Sequence, residues 1–125
     1  QTFAMAKTTH QDSFDHIRQL MGDFSRDRDW EQFHDPKSLL LALVGEVGEL
    51  AELFQWLPAD QAKDLVAKPE LHQRVGEEMG DIILYLVRLA DVLEIDLGKA
   101  TTDKFDSVVE RFPTESVKGH APTKD

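Results

Sequence analysis

The sequence predicts an all-α fold, a four-helix bundle, on three observations. Apolar residues recur at three- and four-residue spacing in four long segments, the pattern of helices that bury one face. Strand signals are scarce. The segments between the four runs are short, and Pro36, Pro58 and Pro113 punctuate them, which makes successive helices neighbours in a bundle.

The first helix is expected over about 13–26, where Phe14, Ile17, Leu20, Met21 and Phe24 share one face. The mixed, aromatic stretch "RDWEQFHDP" then breaks the period, and Pro36 reads as a first-turn residue of the next helix. Helix two is expected over about 36–57, stopping before Pro58. "PADQAKDLVAKP" reads as a polar connector with room for one or two helical turns. Helix three is expected over about 70–94, with a short break at Ile95–Asp96. Helix four follows over about 97–111 and ends at Pro113. One domain, 13–113, therefore carries the core. Residues 1–12 read as a disordered N-terminal segment, with the four residues ahead of Met5 looking like a tag remnant. Residues 114–125 have no apolar period and read as a loose tail.

Composition narrows the classes of function. The chain of 125 residues suits one domain with a modest core, and 41% apolar content argues against wholesale disorder. The absence of cysteine excludes disulfides, thiolate metal sites and a cysteine nucleophile. No apolar stretch is long enough to span a membrane, and the N-terminus lacks the plan of a secretory signal, so a cytoplasmic protein is the default expectation. A formal charge of −10 disfavours nucleic-acid polymers. A small anionic substrate is compatible with that charge if metal ions stand between it and the carboxylates.

The chemistry concentrates in two acid pairs. "GEVGELAELFQWL" (45–57) aligns without gaps on "EEMGDIILYLVRL" (77–89), matching Gly48 to Gly80 and Glu49 to Asp81. At about 100° per residue, Glu46 and Glu49 flank the apolar stripe of helix two, and Glu78 and Asp81 flank that of helix three. Antiparallel helices would bring both pairs into one crevice. Four carboxylates there repel, and either protonation or a cation must relieve them. Oxygen ligands alone favour hard ions such as Mg²⁺ or Mn²⁺. Spacing alone leaves a solvated acidic face as the alternative. Gly45, Gly48 and Gly80 are expected to permit close helix approach.

The motif Glu46-x-x-Glu49 with Glu78-x-x-Asp81 resembles that of the all-α nucleotide pyrophosphatases, the MazG-like family. The stretches 28–57 and 76–90 resemble its dCTP pyrophosphatase branch. The likeness covers about residues 14–113. It implies a bundle of the all-α NTP pyrophosphatase type and hydrolysis of a (d)NTP to monophosphate and pyrophosphate with Mg²⁺, Mn²⁺ being a possible substitute. Carried over by position, Glu46, Glu49, Glu78 and Asp81 would be metal ligands, and Glu49 would also orient the attacking water. Trp30, Glu31, Gln32, Phe33, His34 and Trp56 would line the nucleotide pocket, and Tyr85 would lie near sugar or base. On helix four, Lys104 and Arg111 could meet phosphates or equally pair with surface acids. Two positions depart from the branch: Met21 stands where it has a histidine near the substrate, and Val108 where the family has an asparagine.

The resulting expectation is a Mg²⁺-dependent pyrophosphohydrolase acting on dCTP or a modified dCTP in nucleotide-pool cleansing. The alternatives are a related enzyme acting on dUTP or phosphoribosyl-ATP, and a non-catalytic helical module that binds a protein. A second apolar face carrying Leu41, Val44, Leu84 and Val87 predicts a homo-oligomer, and the family resemblance favours a tetramer over a dimer.

Overall fold

The computed structural model describes residues 10–121, and its first and last nine and four residues, including the expected tag remnant, lie outside them. Among the described residues every regular element is helical. Helix α1 spans His10–Asp27, α2 Pro36–Phe54, α3 Ala62–Val66, α4 Pro69–Val92, α5 Leu97–Arg111 and α6 Thr114–Val117. A 3-10 turn, Glu31–Phe33, lies between α1 and α2. Four long helices thus stand where periodicity places them.

Local chemistry sets the boundaries. Asp35 caps α2 by accepting from the Ser38 backbone N–H at 2.9 Å, with Pro36 in the first turn. Asp96 does the same for α5, accepting from Lys99 N–H at 3.0 Å. Helices α1 and α4 end without glycine. Trp30 N–H reaches Ser25 O at 2.9 Å and Asp29 N–H reaches Arg26 O at 3.0 Å, with Asp29 at φ 54. Ile95 and Glu94 repeat the pattern on Ala90 O and Asp91 O, with Glu94 at φ 57. Each is a left-handed helix stop that satisfies two carbonyls at once.

Helix α4 is the hub. It packs along α2 and also receives α1 and α3, while α5 rests chiefly on α1. Leu39, Val75, Val87 and Ala90 are the buried apolar side chains. Near one end of the α2–α4 pair, His34 meets Arg88; midway, Glu46 lies beside Glu78. The two contacts run in opposite chain directions along the two helices, so the pair is antiparallel.

Four expectations need correction. A Cβ built at Gly45, Gly48, Gly76 or Gly80 would find nothing within 4 Å, so these glycines do not serve close helix approach within the chain. Val87 is 3% exposed and belongs to the core, not to a second outward face. The segment after Pro113 is not wholly loose, since Thr114–Val117 forms a helical turn with Val117 half-buried. At the other end, α1 begins at His10, ahead of the expected start at Ser13.

Candidate active site

The antiparallel pair brings the acids together. Carboxylate oxygens of Glu46, Glu49 and Glu78 lie within 4.8 Å of one another, with Glu46 and Glu78 half-buried and Glu49 exposed. Asp81 is exposed, and its carboxyl is a hydrogen-bond neighbour of Glu46. Desolvation, then hydrogen bonding to Glu49 and the charge of Glu49, push the Glu46 carboxyl up to about 7, with Glu78 and Asp81 adding to the rise. Glu78 Oε1 is buried and has no hydrogen-bond partner among the described residues. A buried carboxylate oxygen left unpaired is costly unless a cation or proton meets it. Clustered oxygens with one orphan and a neighbour that holds a proton near neutrality are what a hard cation would satisfy. Glu52 is exposed and outside the cluster.

Beyond the acids, α4 continues as a polar row. Glu78, Asp81, Tyr85 and Arg88 fall on one flank at three- and four-residue steps. Tyr85 is half-buried; Arg88 is 5% exposed. The row ends at the aromatic turn. Arg88 Nε donates to His34 Nδ1 at 3.0 Å, and its other nitrogens meet Asp91 at 3.1 Å and Glu31 at 3.9 Å. Burial and then the charge of Arg88 lower the pKa of His34, against a smaller opposing effect of Glu31. Gln32 Nε2 donates to Asp29 O at 2.9 Å and to Asp29 Oδ2 at 3.2 Å. Trp30 meets Phe24 edge-on at 5.5 Å between centroids, and Arg28 covers that phenyl ring at 3.7 Å. Phe33 is exposed, and Met21 is half-buried on α1.

Not every expected residue converges. Trp30 and Trp56 stand beyond opposite ends of α2, a 19-residue helix with an axis of about 28 Å. Trp56 is 85% exposed in the turn after α2. Within one chain they do not frame one base. Lys104 lies on the exposed stretch of α5, a helix that packs chiefly on α1. An open cleft of about 480 Å³ lies at the meeting of α1, α4 and α5, lined by Phe14, Arg18, Ala90 and Lys99 among others. Glu46, Glu49, Glu78 and Asp81 do not line it. Arg88 was not singled out from sequence, although it is the one charge in the apolar run 82–90.

Residues 34–116 match the MazG nucleotide pyrophosphohydrolase domain. The chain belongs to that family. This MazG domain is 48% identical over 105 residues to the bovine (Bos taurus) protein named dCTP pyrophosphatase 1, covering 84% of this chain and 62% of the relative. The Homo sapiens protein of the same name is 47% identical over 97 residues, covering 78% of this chain and 57% of its own length. The chain therefore spans less than two thirds of these relatives. Among solved structures, a pyrophosphatase from Archaeoglobus fulgidus DSM 4304 superposes with a TM-score of 0.74 at 29% identity, covering 85% of this chain and 97% of the other. No helix of the described MazG domain is long and apolar enough to cross a membrane.

Proposed function

We propose that this domain hydrolyses a nucleoside triphosphate, dCTP or a modified dCTP, to the monophosphate and pyrophosphate, as a Mg²⁺-dependent step of nucleotide-pool cleansing in the cytoplasm. The orphaned Glu78 Oε1 within the carboxylate cluster carries the reading, because it calls for a cation beside three other acids. Identity of 48% with a relative named for dCTP pyrophosphatase supports the substrate.

Glu46, Glu49, Glu78 and Asp81 would hold the metal. A cation bound there offsets charge on the triphosphate and acidifies neighbouring water. The carboxylate of Glu49, exposed at the mouth of the cluster, takes the proton of the attacking water. That oxygen bonds to the α-phosphorus, the bond from it to the bridging oxygen breaks, and pyrophosphate leaves. Tyr85 lies one turn further along α4 on the same flank, toward the sugar, and the turn 30–34 lies toward the base. Exposed apolar faces on α2 and α5 support a homo-oligomer, with a tetramer proposed.

Incubation with a panel of dNTPs in ¹⁸O-labelled water tests the reading, with products separated by chromatography. Label in the monophosphate, with pyrophosphate released only when divalent metal is present, is the expected result. Label in orthophosphate without pyrophosphate, or no metal-dependent product from any dNTP, overturns it.

A further inference from the structure

We propose that Arg88 is a positioning residue for base recognition: it fixes His34 with Nδ1 as acceptor, so that His34 can offer a nucleobase only a donor, at Nε2. The inference rests on the nucleotide reading above and deepens it.

A guanidinium can only donate. Its Nε stands 3.0 Å from His34 Nδ1, so that ring nitrogen carries no proton and the imidazole keeps its single N–H at Nε2. The charged groups around the ring act in concert. Arg88 is held by Asp91 at 3.1 Å and faces Glu31 at 3.9 Å, and Asp91 in turn meets Arg18 of α1 at 3.8 Å. Three elements, α1, α4 and the aromatic turn, are thereby tied to one buried cation. Burial and the Arg88 charge both disfavour a proton on His34, which keeps the acceptor at Nδ1 available to Arg88.

The consequence concerns the base. Gln32, the other adaptable side chain of the turn, already spends its amide N–H on Asp29. A donor-only His34 suits the ring N3 acceptor of a cytosine edge, the atom that decides the choice because O2 accepts in cytosine and uracil alike. It opposes uracil, whose N3 carries a proton. A polar group fixed in one sense rejects the wrong partner far better than one free to switch. The Glu78–Asp81–Tyr85–Arg88 row sets the geometry, since phosphates at the acids leave the base at the Arg88 end of α4.

The decisive measurement is ¹⁵N NMR of the histidine-labelled chain. His34 is expected with Nε2 protonated and Nδ1 bare. An Nδ1–H tautomer, or tautomer averaging like that of free imidazole, overturns the proposal without any kinetic experiment. Kinetics then tests the consequence. Arg88→Met keeps an unbranched apolar stem and removes the guanidinium, and far-UV dichroism checks its fold. It is expected to release the tautomer and raise KM for dCTP about tenfold, the loss of one positioned hydrogen bond, with kcat changed less than about threefold. The preference for dCTP over dUTP narrows. Arg88→Lys does not restore it. In a His34→Ala background, Arg88→Met should have no further effect on KM; an undiminished effect there overturns the proposal. A wild-type chain that hydrolyses no nucleotide sinks the functional reading instead, and the tautomer measurement still decides whether Arg88 sets His34.

Discussion

Glu46 is where the site's electrostatics become measurable. Its folded pKa of about 7 lies above the ordinary 4.5, so the folded, metal-free protein holds a proton that the unfolded chain releases more readily. A raised carboxyl pKa contributes stability that is fully present below about pH 4.5 and is lost as pH rises through about 7. Melting of the metal-free protein is therefore expected to fall across that window, and the slope should flatten in Glu46→Gln. Mg²⁺ competes with the same proton, so its protection should grow with pH. Thermal melts at a series of pH values, with and without Mg²⁺, check both statements; an identical slope in Glu46→Gln contradicts the first. Asp81 gives a second test at this scale. Asp81→Asn keeps size and removes one charge from the cluster, and is expected to abolish turnover while the helices remain intact by dichroism. Glu52→Gln, on an exposed position outside the cluster, should leave turnover nearly unchanged. Equal damage from the two would mean that the crevice has been placed on the wrong face of α2.

Helix boundaries show which parts of the fold the sequence displays. The starts of α2 and α5 are written locally, in Asp35 before Pro36 and in Asp96, each capping a backbone N–H three residues on. The acid cluster is legible for a related reason: two helices repeat one i, i+3 pair beside one apolar stripe, and antiparallel contact does the rest. The ends of α1 and α4 are not legible, because the left-handed stops fall on Asp29 and Glu94 instead of glycine. Helix three was accordingly expected to run to Glu94, two residues beyond Val92. The Arg88–His34 bond joins residues 54 apart, and no local period records such a pair. The Glu94 stop carries its own prediction. A non-glycine residue at φ 57 bears a steric cost of roughly 1–2 kcal/mol, partly offset in a glycine variant by the greater freedom of its unfolded chain. Glu94→Gly should raise stability by about 0.5–1 kcal/mol in denaturant melts, and Glu94→Ala should not. A destabilised Glu94→Gly would show that the Glu94 side chain makes a contact worth more than the strain.

At the scale of the molecule, the apolar surface that one chain leaves uncovered supports the proposed homo-oligomer. Leu41 and Val44 are 60% and 58% exposed on the side of α2 turned away from the buried Leu39. Phe105 and Val109 are 64% and 54% exposed on α5, whose residues 99–110 are all exposed. Monomers rarely show contiguous apolar patches beyond about 300–600 Å², and larger ones mark interfaces. Gly48 on α2 and Gly76 and Gly80 on α4 are exposed, with open space beyond. In the proposed oligomer that space is open to a helix of another chain. The aromatic groups argue the same way, since Trp30 and Trp56, at opposite ends of α2, can serve one base only if two copies meet. Light scattering at micromolar concentration is expected to give four times the 14.2 kDa monomer mass. Val44→Glu or Phe105→Glu places a charge in the proposed contact, and should lower both mass and melting temperature while the helices persist. Trp56→Ala, if its ring completes a partner's pocket, should raise KM for every base by a similar factor, because stacking contributes roughly 1–3 kcal/mol with little preference among bases. A monomeric mass for the unmodified chain, or a Trp56→Ala variant with unaltered KM, would return the tryptophan to the role of an exposed surface residue and leave the uncovered faces without a partner of their own kind.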